Sequence, residues 1–350
     1  MPGISSLKSL QVKSMKLQEI GEFGLIDKLS EGCLHKENHV IRAIGDDAAV
    51  FIQSAGEVVL VTTDMLVERV HFLRNATTGF NLGYKALAVN LSDIAAMGAS
   101  AREAFVSIAI PEDCSVEFIE DMYKGIKYLA ASFQVNLLGG DTTASPKDLV
   151  INVVVVGSAP QEEILYRDGA KNKDLIYCTG YLGDSRAGCH LIVNGIKTES
   201  DGLKALKNAH LIPRPMLMEG KFLGGFGGVH AAIDISDGLS SDLGHILKQS
   251  RVGAKIYAEK MPISENLKIF CKQFNLDPVK YAVDGGEDYV LLFTVSPDRA
   301  QKLYKKYHEI FEFPLFEIGE INDSDQLVLE FPNGKTEQIL PTGWNHFKKT

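Results

Sequence analysis

The sequence predicts two domains of the α/β (α+β) type, each built from a mixed sheet and helices. Short apolar runs rich in β-branched residues alternate with longer segments of helical periodicity along most of the chain. The alternation pauses at Gly157-Ser158-Ala159-Pro160 and then begins again. We therefore predict an N-terminal domain of residues 1-158 and a C-terminal domain of residues 159-350, two domains of ordinary size.

The elements of the N-terminal half follow from periodicity and from capping residues. Ser115 is a candidate helix N-cap, Gly98 a helix stop and Pro111 a strand end. The predicted order is helix 19–29, strand 58–61, helix 82–97, strand 104–110, helix 115–133, strand 135–138 and strand 149–156. The last strand is nearly all β-branched, so we expect it to be buried on both faces or to lie in an oligomer interface. Residues 1–17 are expected to be a frayed extension.

The C-terminal half repeats the alternation of strands and helices. The predicted order is strand 175–179, helix 183–193, strand 231–235, helix 239–250, strand 254–258, helix 267–274, strand 290–295 and helix 297–307. The glycine-rich stretch 224–228 is expected to be a flexible turn. It lacks the Lys-Ser/Thr of a phosphate loop, and no G-x-x-x-x-G-K-[ST] occurs in the chain.

Composition excludes several classes of function. Hydrophobic residues make up 45% of the chain and charged residues 23%, which is typical of a globular protein with a sizeable core. The net charge of −9 argues against a nucleic-acid partner. Five scattered cysteines without a C-x-x-C pair indicate reduced thiols in a cytoplasmic protein. No apolar run is long enough to span a bilayer, and no secretory signal is recognisable, so no membrane partner is expected.

Acidic residues stand beside Gly, Ser or Thr at six places, most of them after a strand-like run. The six are Gly45-Asp46-Asp47, Thr62-Thr63-Asp64, Asn90-Leu91-Ser92-Asp93, Gly139-Gly140-Asp141-Thr142, Asp234-Ile235-Ser236-Asp237-Gly238 and Gly285-Gly286-Glu287-Asp288. Each one alone could be an ordinary turn or helix cap. Together they could converge on one point, and so acidic a cluster needs cations, usually Mg²⁺ with a bound polyphosphate.

Asp93 is the least ordinary of these residues, because aspartate is a poor residue inside a helix. It shares the apolar helical face of Val89 and Met97, and burial there would raise its pKa unless a cation or donor paired with it. This placement favours a functional role over a structural one.

Two further motifs suit phosphate as well as metal. At Gly139-Gly140 the chain is expected to turn onto Asp141 and to let a phosphate lie against backbone amides. Asp234 and Asp237 flank a strand–helix junction, where the amides of the helix N-terminus would suit an anion. Ordinary turn-plus-cap chemistry remains an alternative for both.

The order of these motifs resembles a known family. The segments G-D-D-A-A, T-T-D, Y-K-A-L-A-V-N-L-S-D-I-A-A-M-G-A, G-G-D-T-T, I-D-I-S-D-G-L-S-S-D-L-G-H-I, G-G-E-D-Y and G-W-N-H-F resemble thiamine-monophosphate kinase, from about Glu19 to Phe347. The wider superfamily contains aminoimidazole ribonucleotide synthetase, selenophosphate synthetase and a hydrogenase maturation protein. The resemblance implies the aminoimidazole ribonucleotide synthetase-like fold and ATP-dependent phosphorylation of thiamine monophosphate to thiamine diphosphate. It also implies several Mg²⁺ ions and a homodimer built through the N-terminal halves.

The resemblance implies roles for individual residues. The implied Mg²⁺ ligands are Asp47, Thr62, Thr63, Asp64, Asp93, Asp141, Asp234 and Asp237. The implied ATP contacts are Tyr123, Gly140, Asp141, Arg167 and Ser236, and the implied contacts to thiamine monophosphate are His71, Glu287 and Trp344. Asp46 fits the pattern without a defined ligand role. Trp344 would offer a flat cation–π surface or plug the C-terminal core, and Arg167 would neutralise phosphate charge or form an exposed pair with Asp168.

The expected mechanism is direct in-line transfer, with no side chain acting as nucleophile and no phospho-enzyme. The acceptor phosphate is already ionised near neutral pH, so no general base is needed. An ATP-dependent, amidine-forming synthetase of the same superfamily is the alternative among enzymes, against which the G-G-E-D-Y and G-W-N-H-F segments argue. Selenophosphate synthesis is disfavoured because no cysteine precedes Cys33. A non-catalytic Ca²⁺/Mg²⁺-binding or nucleotide-sensing module is the alternative outside enzymes.

Overall fold

The computed structural model describes residues 28–36, 38, 40–42, 50–51 and 57–340. Residues 28–30 are helical, and the rest of the predicted helix 19–29 lies outside the described residues. Three of the predicted site positions, Asp46, Asp47 and Trp344, also lie outside them, as do residues 1–17. The predictions for these positions therefore stay predictions.

Strands and helices alternate along the described chain. The strands are β1 (Val40–Arg42), β2 (Val50–Phe51), β3 (Glu57–Val67), β4 (Ser100–Pro111), β5 (Asn136–Ser145), β6 (Val150–Pro160), β7 (Leu175–Cys178), β8 (Val229–Asp234), β9 (Gly253–Tyr257), β10 (Leu291–Val295), β11 (Phe316–Asn322), β12 (Leu327–Glu330) and β13 (Thr336–Gln338). The helices are α1 (Gly79–Ala96), α2 (Val116–Phe133), α3 (Asp184–Val193), α4 (Asp201–Leu211), α5 (Leu217–Phe226), α6 (Leu239–Ser250), α7 (Glu265–Phe274), α8 (Pro278–Asp284) and α9 (Pro297–Ile310).

Two mixed sheets organise the described residues, which confirms the predicted fold class. The first has four strands in the order β3-β6-β4-β5, with β4 and β5 parallel and the other pairs antiparallel. The second has seven strands in the order β13-β12-β9-β11-β7-β10-β8, in which only the β9–β12 pair is parallel. A small pair, β1 and β2, lies apart from both sheets.

Strand β3 is longer than predicted, which places its acidic motif inside the strand. The sequence predicts that Asp64 follows the strand, whereas β3 continues to Val67 because β6 pairs with it along its whole length. Asp64 lies opposite Val153 in this ladder. The two threonines before Asp64 are β-branched and fit an extended backbone, so the motif is a strand segment and not a turn.

The predicted turn at Gly139-Gly140 is also wrong, because β5 runs straight through both glycines. Gly140 has φ +153°, and a Cβ there would lie 1.7 Å from the carbonyl oxygen of Val106 on β4. The glycine is therefore required by the close approach of two parallel strands just after an irregularity in their register at Phe105.

The predicted domain boundary falls inside a strand. Residues 157–160 are the last residues of β6, and Pro160 lies opposite Glu57 at the start of β3. The chain leaves the first sheet only after Pro160 and enters the second at Leu175. A division near this point stays our proposal, with the connecting segment a few residues further along than predicted.

Several elements of the second half have no counterpart in the predicted order, namely α4, α5, α8 and β11 to β13. Helix α4 buries only Leu206 and His210, so its apolar periodicity is weak. Helix α5 extends into the glycine-rich stretch predicted to be a turn and ends at Gly227, whose φ is +73°. The predicted turn is thus correct only for the last two glycines.

Helices α1 and α2 pack at very short range. A Cβ at Gly83 of α1 would lie 1.8 Å from the Met122 carbonyl oxygen, and one at Gly125 of α2 would lie 1.9 Å from the Phe80 carbonyl oxygen. Ser115 accepts from Phe118 N and caps α2, as the sequence predicts. This contact fixes α1, which carries much of the site described below.

Replacing Gly83 with alanine is expected to destabilise the protein by about 3 kcal/mol, because the added methyl group forces the two helices apart. The change in the free energy of unfolding is measured by urea denaturation. Gly225→Ala is the matched control, since a Cβ there meets Glu163 only at 3.7 Å, an ordinary contact in a helix. Equal stability of the two variants would contradict the tight packing of α1 on α2.

Candidate active site

Three aspartates from three elements converge where the two domains meet. Asp64 comes from β3, Asp93 from the last turn of α1, and Asp234 from the end of β8 in the second sheet. The Asp64 amide donates to Asn90 Oδ1 at 3.0 Å, which fixes β3 on α1. The electrostatic effect of Asp93 on both other carboxyl groups, described next, shows that the three lie close together.

Neighbouring hydroxyl groups orient two of these carboxylates. Thr62 Oγ1 donates to Asp93 Oδ2, and Ser92 Oγ donates to Asp234 Oδ2 at 2.7 Å. The second bond joins a helix of the N-terminal domain to a strand end of the C-terminal domain, and both partners are buried. The relative position of the domains is therefore coupled to the geometry of the acidic cluster.

Burial makes this cluster electrostatically unfavourable. Burial first, and then the charge of Asp93, raises the pKa of Asp64 to about 6. Burial, followed by the charge of Asp93, raises the pKa of Asp234 to about 7, against the effects of Ser92 and Arg167. The pKa of Asp93 is raised by burial, although Thr62 and Arg167 oppose the rise, as the sequence predicts for an aspartate on an apolar helix face. Positive charge is needed to keep all three ionised.

A cavity of about 390 Å³ opens onto the cluster. Thr62, Asp93 and the exposed Arg167 line it, together with apolar residues of β3, α1 and β8. Arg167 lies in the loop between β6 and β7, and its charge reaches both Asp93 and Asp234. The cavity thus offers one carboxylate and a guanidinium on its walls, which suits a cation together with an anion.

The strand–helix junction after Asp234 is built differently from the prediction. The amides of Asp237 and Gly238 both donate to Asp242 Oδ2, at 3.1 and 3.0 Å, so these two amides already have a carboxyl oxygen as partner. Burial, and then the charges of Asp234 and Asp237, raise the pKa of Asp242 to about 8. Asp242 therefore holds the loop that carries Ser236 and Asp237, and the expected anion site at these amides is filled by the protein.

Glu287 lies in a second polar cluster. Its carboxylate contacts Lys85 Nζ at 2.9 Å and His210 Nδ1 at 3.2 Å. The charge of His71, another residue predicted to contact substrate, acts on Glu287 as well. Burial raises the pKa of the Tyr289 phenol, and the negative charges of Glu287 and of all three clustered aspartates raise it further. The two clusters are therefore adjacent.

The remaining acidic places separate into different roles. Asp288 accepts from the amides of Gly183 and Ser185, so it caps α3 and has a structural function. Thr63 points to the face of β3 opposite Thr62 and exchanges hydrogen bonds with Asn152. The structure therefore does not place the Thr63 side chain in the carboxylate cluster.

Asp141 and Gly140 lie far from the cluster within one chain. They are exposed on β5, and β5 and β3 form opposite edges of the four-stranded sheet. Three strand spacings separate these edges, a distance of about 14 Å. Tyr123 lies on α2, half-buried against the core, and its pKa is raised by burial. Within one chain, Gly140 and Asp141 therefore lie apart from the group around Asp64, Asp93 and Asp234.

Within residues 28–36, 38, 40–42, 50–51 and 57–340, no group of three or more His, Cys, Asp or Glu side chains is arranged closely enough to hold a metal ion. Asp46 and Asp47 lie outside that part of the chain. In the same part, no helix has the length and apolar character that crossing a membrane requires.

Sequence reasoning gave no role to five polar residues that shape the site: Lys85, Asn90, Ser92, His210 and Asp242. Four of them occur inside quoted motifs, and all five are buried. Their signal is a polar residue on an otherwise apolar helical face, as in Asn90 and Ser92 of α1. His210 lies in α4, a helix that the periodicity does not reveal.

Two family models together match most of the chain. Residues 45–159 match the AIR synthase related protein N-terminal domain, and residues 171–331 match the C-terminal domain of the same family. Thiamine-monophosphate kinase of Aquifex aeolicus is 36% identical over 333 residues, which cover 95% of this chain and 100% of the relative. The chain belongs to the thiamine-monophosphate kinase family. The kinase of Bacillus subtilis is 33% identical over 93% of this chain and 99% of its own length.

Solved structures of the thiamine-monophosphate kinase family share the fold. The enzyme from Stenotrophomonas maltophilia superposes with a TM-score of 0.80 at 34% identity, covering 90% of this chain and 98% of its own. A structure of AaThiL complexed with AMPPCP and TMP gives a TM-score of 0.75 at 34% identity, covering 95% and 99%. The hydrogenase maturation protein HypE, at 18% identity and a TM-score of 0.72, shares the fold.

Proposed function

We propose that this chain transfers the terminal phosphate of ATP to thiamine monophosphate, giving ADP and thiamine diphosphate. The observation that carries the proposal is the trio of buried Asp234 and half-buried Asp64 and Asp93 beside a cavity lined by Arg167. The family relative bound to AMPPCP and TMP supports both substrates. In the transfer, an oxygen of the acceptor phosphate bonds to the terminal phosphorus while the bond to the leaving ADP oxygen breaks.

The chain's own residues would bind and align the two phosphates. The guanidinium of Arg167 would attract phosphate oxygens to the cavity that it lines. The acceptor phosphate is ionised near neutral pH, so the aspartates need not remove a proton or form a covalent intermediate. The cost of bringing two anions together is the main barrier, and the site must supply positive charge.

The site offers the oxygen ligands that Mg²⁺ prefers, although no three acidic side chains in the described part of the chain lie close enough to hold an ion as they stand. Asp64, Asp93 and Asp234 would hold it together with Asp237, because a nearby cation would stabilise the ionised form of carboxyl groups whose pKa is raised, as it is for the first three. Asp47, outside the described residues, would complete the set. When bound, Mg²⁺ ions supply the charge that screens the repulsion between the phosphates.

The separation of Asp141 from Asp64 supports a homodimer. The face of β3 that carries Val61 and Met65 is open, with 66% and 54% of these residues exposed. A second copy seated on this sheet, with its β5 beside β3, would bring its Asp141 to the cluster of the first chain. We propose this arrangement for the ATP site, with Tyr123 and Gly140 supplied by the same partner as Asp141, and a cytoplasmic location for the dimer.

A heterodimer of two inactive variants tests the shared site. Asp141→Asn and Asp234→Asn homodimers are each expected to be inactive, while a heterodimer purified through two different tags keeps one intact site. Its rate is expected to be about half that of the wild type, because a twofold dimer has two equivalent sites. A heterodimer without activity would contradict the proposed arrangement.

A coupled assay of ADP release tests the function. ADP should form only when ATP, Mg²⁺ and thiamine monophosphate are all present, and thiamine diphosphate should form in equal amount. Binding of Mg²⁺ or ATP without ADP release would favour a nucleotide-sensing module and would reject the kinase proposal.

A further inference from the structure

Lys85 is a buried lysine that lies at the domain junction. It belongs to α1, and 4% of its side chain is exposed. Its Nζ is 2.9 Å from Glu287 Oε1, so a helix of the N-terminal domain forms an ion pair with the G-G-E-D-Y segment of the C-terminal domain. A buried ammonium group is tolerated only when such a partner compensates for its lost hydration.

Glu287 is held from several sides. Its second oxygen, Oε2, lies 3.2 Å from His210 Nδ1, and its amide donates to the Ser236 carbonyl oxygen at 2.7 Å. Its φ of +61° lies in the left-handed region, a conformation that a glutamate keeps only when its surroundings impose it. The side chain is nevertheless 28% exposed, so part of it remains accessible.

A small cavity of about 20 Å³ lies next to this cluster, and its lining includes His71 and both partners of the Glu287 carboxylate, Lys85 and His210. This space admits one water-sized polar group and not a ring. Val67 N donates to His71 Nδ1 at 2.9 Å, which fixes the orientation of this imidazole. The arrangement can therefore receive the tip of a substituent while the body of a ligand stays outside.

The chemistry of Glu287 restricts what that substituent can be. The charge of Lys85, followed by that of His210, lowers the pKa of Glu287 against the effect of burial. Burial itself lowers the pKa of His210 to about 4, so Lys85 is the main positive charge in this cluster. An ionised carboxylate accepts hydrogen bonds and donates none. It therefore selects an N–H donor and disfavours a carbonyl oxygen.

We propose that Lys85 is a positioning and specificity-determining residue, whose ion pair fixes the Glu287 carboxylate as acceptor for the amino group of the substrate's aminopyrimidine ring. The proposal rests on the proposed kinase function and extends it to a residue on the opposite domain. Lys85 acts through Glu287 and does not itself touch the reacting phosphates.

The test compares thiamine monophosphate with oxythiamine monophosphate, in which an oxygen replaces the amino group. The wild type is expected to prefer the amino substrate by roughly 100-fold or more in kcat/KM. Lys85→Met should lower this preference by about tenfold, because Glu287 loses its fixed orientation and charge. The KM for ATP should change less than about twofold, since the change leaves the carboxylate trio in place.

Controls separate specificity from stability. Lys124→Met, a change at an exposed lysine of α2, should leave the preference unchanged. If Lys85→Met fails to fold, the double variant Lys85→Met, Glu287→Gln replaces it, because this variant removes both charges of the ion pair. The glutamine side chain both donates and accepts hydrogen bonds, so the double variant should show almost no preference between the two substrates.

Three outcomes overturn the inference. The first is an unchanged preference in the variant that folds, and the second is an equal rise in KM for ATP and thiamine monophosphate. The third is a wild type without thiamine monophosphate turnover, which overturns the kinase proposal as well and is thereby distinguished from the other two.

Discussion

Replacing Asp234 with asparagine is expected to lower kcat by about 1000-fold, because it removes a carboxylate from the centre of the site. The asparagine would keep the shape of the side chain and an oxygen that accepts from Ser92. The fold should therefore survive the change. Without Mg²⁺ the variant should even be more stable than the wild type, since the buried member of three mutually repelling carboxylates has been neutralised.

Steady-state ADP release and thermal unfolding in EDTA measure the two effects. Asp201→Asn is the matched control, because the side chain of Asp201 is 99% exposed and lies at the start of α4. It should change neither quantity. A variant at Asp234 that keeps the wild-type rate would remove the acidic trio from the mechanism, and a loss of stability in EDTA would contradict its repulsive character.

The metal-free protein is expected to lose stability as the pH rises. Asp64 and Asp234 have folded-state pKa values raised to about 6 and about 7, so the folded state binds their protons more tightly than the unfolded state does. The stabilisation from these protons is complete below the pKa of an unfolded aspartate, about 4. It is lost as the pH rises from there through the folded-state pKa values, up to about pH 7. The two shifts together correspond to a loss on the order of 7 kcal/mol.

Magnesium should reverse this loss, because it compensates for the charge that deprotonation exposes. The increase in Tm produced by Mg²⁺ over EDTA is therefore expected to be much larger at about pH 8 than at about pH 5.5. Differential scanning fluorimetry of the full chain measures it. The Asp234→Asn variant should show a weaker dependence on pH. An increase of equal size at both pH values would show that these carboxylates do not hold the ion.

Local signals were sufficient for most helices and for the fold class. The apolar face of α1, the Ser115 cap of α2 and the position of Gly98 follow from spacing and capping rules that act over a few residues. The same rules misplaced the ends of β3, β5 and β6. Those ends are set by the length of the neighbouring strand, which supplies the hydrogen bonds along the ladder.

The candidate site divides in the same way. Asp93 was identifiable because a charged residue on an apolar helical face is a local conflict. The pairing of Lys85 with Glu287 was not identifiable, because it joins two domains and depends on how they pack. At Gly140 the predicted turn is wrong, because its backbone lies in β5 against Val106 of β4, and its contact with ATP stays a prediction.

The hydrogen bond between Ser92 and Asp234 has a consequence for the newborn polypeptide. During translation, the first sheet and α1 are synthesised long before β8. Asp64 and Asp93 are therefore present in the nascent chain before Asp234, the acceptor of the Ser92 hydrogen bond, has been made. A product truncated before β8 therefore lacks Asp234 and is expected not to form the site proposed for ATP. That site is completed only after the second half has been synthesised and has folded against the first.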